Sequence, residues 1–173
     1  TDNYALTSLQ FPLLPSVGTY LMVENSKALT SLEFPVLQSV GSSFEVGSTA
    51  LALQFYNNDA LTNLSLPLLQ SVGSYLSVFN NIKLTSLHLP LLQSVHGNNQ
   101  GNGLAVEYNP VLQLMDLCSL TSIGDGVVNI GNMASMECKL GVNQGSWLGL
   151  NNGSSACNVS CSTEAGSASS ASS

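Results

Sequence analysis

What constrains this chain most is that it repeats itself. The stretch "LTSLQFPLLPSVG" at 6–18 returns as "LTSLEFPVLQSVG" at 29–41, "LTNLSLPLLQSVG" at 61–73 and "LTSLHLPLLQSVH" at 84–96. With Gly18, Gly41, Gly73, His96 and Gly124 as turn ends, units of 23 residues occupy 19–41, 51–73 and 74–96. A partial unit precedes them at 1–18 and a looser one follows at 97–124. A fixed period of this size marks a solenoid or array, each unit being one supersecondary element.

The aligned units share columns. Leu21, Leu53, Leu76 and Leu104 are followed two residues later by Val23, Phe55, Val78 and Val106. That is one period-2 strand per unit with this face inward. Leu9, Leu32, Leu64, Leu87 and Met115 alternate with Phe11, Phe34, Leu66, Leu89 and Leu117, a second inward-facing strand. Between the strands lies Asn-x-x-Leu: Asn3–Leu6, Asn58–Leu61, Asn81–Leu84 and Asn109–Leu112, with Ser26–Leu29 the exception. Stacked at one phase, these Asn side chains predict a ladder whose amides satisfy backbone groups at a bend. Pro12, Pro35, Pro67 and Pro90 close the second strand, because proline gives no N–H to a ladder. The closing Ser-Val-Gly adds one more apolar side chain and a permissive corner; His96 breaks the glycine column, with Gly97 directly after it.

One unit cannot fold alone. About seven buried large side chains contribute roughly 10–20 kcal/mol, whereas ordering 23 residues costs about 1–2 kcal/mol each for the backbone. Stacking resolves this, since each unit pairs its strands with its neighbours and continues one core. The expected fold is a mostly all-β, right-handed β-solenoid of about six coils, rising about 4.8 Å per coil.

Repeats predict a solenoid over 1–132, with insertions near 42–50 and 97–103, then a Cys-containing cap over 133–161 and a Ser/Ala-rich tail or linker over 162–173. All four cysteines (Cys118, Cys138, Cys157 and Cys161) lie in the last third. An even number clustered at one end, beside Asn-x-Ser sequons at Asn152 and Asn158, reads as a disulfide-stapled cap in an oxidising compartment. The rival zinc reading suffers from a Cys157-x-x-x-Cys161 spacing unlike a metal motif and from the distance of His88 and His96. A third sequon is Asn63-Leu64-Ser65. The chain opens inside a repeat, with no Met and no signal peptide, so it reads as a mature or excised fragment.

Charge is sparse: three Lys, no Arg and ten acids, for a net charge of −7. Such a chain cannot assemble a phosphate-neutralising surface, which excludes nucleic acid and anionic membrane as partners. No apolar run approaches the roughly 18 residues that span a bilayer.

The columns "L-x-V-x-x-N-x-x-L-x-x-L-x-F-P-x-L-x-S-V-G" resemble the receptor L domain, the leucine-rich-repeat relative of insulin- and EGF-type receptor ectodomains. The short coils, Cys-containing end and Ser/Ala tail are most similar to GPI-anchored fungal cell-wall glycoproteins. The resemblance covers about residues 3–132. It implies leucine-rich-repeat-like coils and an extracellular place at a cell surface or wall. The receptor versions' cysteine-rich modules are lacking, nothing matches a hormone-binding set, and the hydrophobic GPI tail is absent, though maturation would remove it.

No constellation for catalysis is legible. His88 lies between inward Leu87 and Leu89 and points outward, in one column with Gln10, Glu33, Ser65 and Asp116; His96 is at a corner. The loop 97–103 lacks the Lys-Ser/Thr and helix of a phosphate cradle, and no EF-hand or nonapeptide spacing suggests calcium. No enzyme activity, cofactor or metal is therefore expected. Two surface stripes remain. Thr7, Thr30, Thr62 and Thr85 stack at strand spacing, a pattern that resembles solenoid ice-binding faces in that respect alone. On the outward side of the first strands stand Tyr20, Tyr56, Tyr75 and Phe79, a candidate surface for a protein or a glycan. The expectation is a non-enzymatic extracellular repeat module with a structural or adhesive role. Its alternatives are a filament or array subunit that self-associates, and an ice-binding protein.

Overall fold

The computed structural model describes residues 3–41, 51–98, 101–124, 127–131 and 137–140. The strand at Leu51–Tyr56 begins at the first of the second group. All regular structure among these residues is β, and every strand pair is parallel.

Numbered along the chain, the strands fall into three walls. The first wall contains β3 (Leu21–Glu24), β6 (Leu51–Tyr56), β9 (Tyr75–Phe79), β12 (Asn102–Glu107) and β15 (Val127–Gly131). The second contains β1 (Ser8–Gln10), β4 (Ser31–Glu33), β7 (Asn63–Ser65), β10 (Ser86–His88), β13 (Leu114–Leu117) and β16 (Glu137–Leu140). The third is built of two-residue strands, β2 (Ser16–Val17), β5 (Ser39–Val40), β8 (Ser71–Val72), β11 (Ser94–Val95) and β14 (Ser122–Ile123). Every third strand pairs with its predecessor, so the chain is a β-solenoid of about four complete turns with partial turns on either side.

The closing Ser-Val, expected to add one apolar side chain ahead of a glycine corner, is a strand of its own. Proline at 12, 35, 67 and 90 stands between the second and third walls, where its missing N–H breaks no ladder. The second wall is divided: β1 pairs with β4, and β7 begins a separate four-stranded sheet. The segment 42–50, where an insertion was expected, lies outside the described residues. Beyond β11 the chain makes a tight excursion in which Asn98 N–H donates to Asn102 O and Asn98 Oδ1 accepts from Asn102 N–H at 2.9 Å. Asn102 is already the first residue of β12, so the excursion ends sooner than the Gly/Asn run suggests.

Burial follows the sequence columns. Each of the two central turns buries seven large apolar side chains in one continuous core, for example Leu53, Phe55, Leu61, Leu64, Leu66, Leu69 and Val72, all 0% exposed. Leu37, Leu69, Leu92 and Leu120, two residues past the proline position, form a further inward column between the second and third walls. At the start of the solenoid Leu6, Leu9, Leu14, Val17 and Leu21 pack against this core only partly buried.

The Asn ladder is present at the bend after the first wall. Asn58, Asn81 and Asn109 are fully buried. Asn81 Oδ1 accepts from Asn58 N–H at 3.0 Å, and Asn109 Oδ1 accepts from Asn81 N–H at 2.9 Å. Their amide groups donate back to the preceding turn, Asn58 to Val23 O, Asn81 to Phe55 O and Asn109 to Val78 O. No buried side-chain N or O among the described residues is left without a partner. Ser26 takes the Asn place in the turn of β3, where its N–H donates to Asn58 Oδ1 at 3.3 Å and its Oγ donates to Glu24 O.

Candidate contact surface

Strand alternation turns every second side chain of the first wall outward. Register orders these into rows. The middle row is Met22, Gln54, Ser77, Ala105 and Asn129, and the exit row is Glu24, Tyr56, Phe79, Glu107 and Gly131. Tyr56 and Phe79 therefore stand on adjacent rungs, with ring centroids 5.4 Å apart.

A third ring joins them. The residue after the exit row is Asn25, Asn57, Asn80 or Tyr108, and all four have a left-handed backbone, with φ of 52°, 56°, 54° and 56°. Asn tolerates that conformation better than other non-glycine residues. The Asn side chains also bond along the stack: Asn57 Nδ2 donates to Asn25 Oδ1 at 3.0 Å, and Asn80 Nδ2 donates to Asn57 Oδ1. Tyr108 cannot extend that amide ladder. Its ring packs against Phe79 instead, at 4.9 Å between centroids, while remaining 48% exposed. The result is a run of three aromatic rings, Tyr56–Phe79–Tyr108, in a row ended by the carboxylates of Glu24 and Glu107. Tyr108 escaped sequence reasoning because its alignment column otherwise holds Asn. The signal was there in the doubled Asn-Asn at 57–58 and 80–81, which becomes Tyr-Asn at 108–109.

Tyr20 and Tyr75 belong to the same wall but to its entry edge. Tyr75 begins β9 opposite Leu51, and Tyr20 precedes β3 and is 58% exposed. Of the four expected residues, Tyr56 and Phe79 meet at the exit edge, whereas Tyr20 and Tyr75 stand at the entry edge with the turn of β6 between them. Tyr75 leans over the middle row: burial raises its phenol above the usual value of 10.0, a side-chain hydrogen bond with Ser77 lowers it, and the Glu107 carboxylate raises it again. Ser77 and Ala105 are buried, at 3% and 1% exposure, although they point outward.

The other candidate positions are placed as follows. In the Thr stripe, Thr30 Oγ1 donates to Thr7 O at 3.1 Å and Thr85 Oγ1 to Thr62 O at 2.8 Å. These hydroxyls are engaged within the solenoid, and the stripe crosses the division between β4 and β7. His88 has an acidic neighbour that sequence distance concealed: its Nδ1 lies 2.9 Å from Asp116 Oδ2 on the next rung. Ser65 occupies the rung on the other side, and Lys139 follows Asp116. A Ser-His-Asp row invites a hydrolytic reading, but acyl transfer needs N–H donors aimed at the developing oxyanion. The nearby amides of Leu66 and Leu89 donate to His88 O and Asp116 O. The row is an exposed polar stripe.

Asn63 is exposed, and its Oδ1 accepts from Ser86 Oγ at 2.7 Å. Cys118 is half-buried in the turn after β13, and no free thiol occurs among the described residues. The side chain of Cys138 in β16, together with Cys157, Cys161, Asn152 and Asn158, lies outside the described residues. No group of three or more His, Cys, Asp or Glu able to hold a metal ion occurs among the described residues, and no helix there is long and apolar enough to cross a membrane. Comparison with protein families, characterised proteins and solved structures finds no match to this chain.

Proposed function

We propose that this protein is a non-enzymatic extracellular repeat module with a structural or adhesive role at a cell surface or wall. Its contact surface is the outward face of the first wall. The observation that carries this reading is the aromatic run Tyr56–Phe79–Tyr108, in which rings from three turns meet on the outward face, Tyr108 exposed and the other two half-buried. The fold has no need of these rings, because Leu53, Phe55, Leu76 and Val78 on the opposite side of the same strands fill the core. Aromatic side chains supply large contact area at low entropic cost, and at interface hot spots each is worth about 2 kcal/mol or more when truncated. Sparse charge suits a partner recognised by shape, stacking and neutral hydrogen bonds, as in a glycan or an uncharged protein surface. The resemblance to receptor L domains and fungal wall glycoproteins points to the same setting.

A Tyr56→Ser, Phe79→Ser double variant is expected to keep its fold, read by circular dichroism, while losing adhesion to the native surface or wall material. Undiminished adhesion would place the contact surface elsewhere.

Two covalent features belong to this reading. Cys118, Cys138, Cys157 and Cys161 form two disulfides that pin the C-terminal segment to the last turns, with Cys157–Cys161 the disfavoured pair because its intervening loop is tight. Register sets Cys138, within β16, beside Met115 of β13, the strand that leads into Cys118. Non-reducing peptide mapping should recover two bridged pairs; four free thiols would restore the metal alternative.

In a eukaryotic source, N-glycans are expected at Asn152 or Asn158, and the exposed Asn63 side chain is compatible with a third. Intact mass spectrometry of such material should show more than the 18.0 kDa polypeptide. A bare polypeptide mass would refute the assignment.

A further inference from the structure

The third wall is the face of the solenoid that carries no charge. Residues 11–18, 34–41, 66–73, 89–95 and 117–124 form that wall and the corner leading into it, and none of them is Asp, Glu, Lys or His. In a chain of net charge −7, two copies meet there without setting acid against acid. The wall is also smooth. Val40, Val72 and Val95 fill the core, so Ser39, Ser71 and Ser94 beside them turn outward with short side chains.

An apolar ridge runs along the corner between the second and third walls. Val36, Leu68 and Leu91 each follow the corner proline, and the residues after them, Leu37, Leu69 and Leu92, are the inward ones at 0% exposure. Leu68 and Leu91 are 37% and 41% exposed, and Val36 is half-buried. The three belong to adjacent turns: Gln70 N–H donates to Gln38 O, and Gln93 N–H donates to Gln70 O, both at 2.8 Å. The ridge thus presents one branched apolar side chain per turn, about 4.8 Å apart. Single exposed apolar residues are ordinary on a protein, whereas a contiguous row of them marks a contact.

The flanks say what meets the ridge. On one side lies the outward row of the second wall, Gln10, Glu33, Ser65, His88, Asp116 and Lys139. On the other stand the exposed Gln38, Gln70, Gln93 and Thr121. A second copy of this chain has the same rise, so two ridges interleave in register over every turn, which a partner of another period cannot do. Charge then fixes the direction. An antiparallel copy centred between Leu68 and Leu91 faces the second-wall row with itself reversed and sets Glu33 against Asp116, and like charges directly opposite repel. A parallel copy sets that row against the Gln column, so Glu33 meets the amide of Gln38 and no acid meets an acid.

We propose that this ridge is the seam of a homodimer in which two copies lie side by side and parallel, related by a twofold axis along the solenoid. The contact is isologous, the same ridge on both copies, so it closes at the dimer. It lies on a different wall from the aromatic run and does not depend on that run being adhesive.

Sedimentation of the purified 173-residue chain is expected to show a dimer that dissociates on dilution. The Leu68→Lys, Leu91→Lys double variant should sediment as a folded monomer at concentrations where the parent is dimeric. Val111→Lys, 43% exposed but on the bend after the first wall, should dimerise as the parent does. Orientation has its own readout: with a short bismaleimide, chains carrying Ser65→Cys should cross-link to chains carrying Gln70→Cys. The dilution series and the cross-link need no folded ridge variant. A parent chain that stays monomeric at every concentration would overturn the proposal, as would a folded ridge variant that still dimerises. Cross-linking of Ser65→Cys to His88→Cys in place of Gln70→Cys, or none beyond the parent's, would overturn the parallel seam.

Discussion

Asn81→Ala is expected to destabilise the protein by about 1–3 kcal/mol, a sizeable fraction of the roughly 5–15 kcal/mol by which a folded domain exceeds its unfolded chain. The side chain is fully buried and serves three turns at once. Its Oδ1 accepts from Asn58 N–H, and its Nδ2 donates to Phe55 O and Phe79 O. Phe79 O keeps a second donor in Asn57 N–H. Alanine therefore strands one backbone group, Asn58 N–H, in a site closed to water, while Phe55 C=O lies within the β6–β9 ladder and keeps its backbone donor there. Each buried, unsatisfied group costs about 1–3 kcal/mol. The neighbouring Ile82 is 44% exposed, so Ile82→Ser should lie within about 0.5 kcal/mol of the parent. Denaturant melts of the two variants test the ladder directly. Equal midpoints would mean that water replaces the Asn81 amide and that the ladder contributes little.

That ladder was legible before any coordinates because its residues recur at one phase. Asn58, Asn81 and Asn109 sit three residues before a buried Leu in each turn, and a period of this kind fixes both the column and the side of the chain it faces. The first-wall and second-wall strands were readable for the same reason. What escaped depends on information that a period does not carry. The left-handed backbone at Asn25, Asn57, Asn80 and Tyr108 is a local conformation, and Asn is common in turns of many kinds. The ring run was missed with it, since Tyr108 meets Phe79 only because that conformation turns it along the stack. Ser-Val is too short for alternation to reveal a strand; it becomes one only by pairing with the same dipeptide in adjacent turns. The His88–Asp116 contact spans 28 positions and needed the register of β10 and β13 to be seen. Placement along a strand was the remaining gap. Tyr75 and Phe79 face the same side of β9, yet they lie at its opposite ends, so the face divides into an entry edge and an exit run.

The phase of the second wall has the sharpest test. Leu64→Ala should destabilise by about 2–5 kcal/mol, the range for deleting a buried Leu side chain and leaving a cavity. Leu64 is 0% exposed and lies in register with Leu87, which is equally buried. The turns above and below hold fixed ladders, so the cavity has little scope to collapse. Ser65 is one residue further on and points the other way, beside His88 in the outward row. Its hydroxyl fills no core space, and Ser65→Ala should change stability by less than about 0.5 kcal/mol. Because the side-chain period of a strand is two, a register wrong by one residue would exchange the two results. Losses below about 0.5 kcal/mol at both positions would show that neither side of this wall faces a packed interior, and the stacked core inferred from the repeat would fail with them.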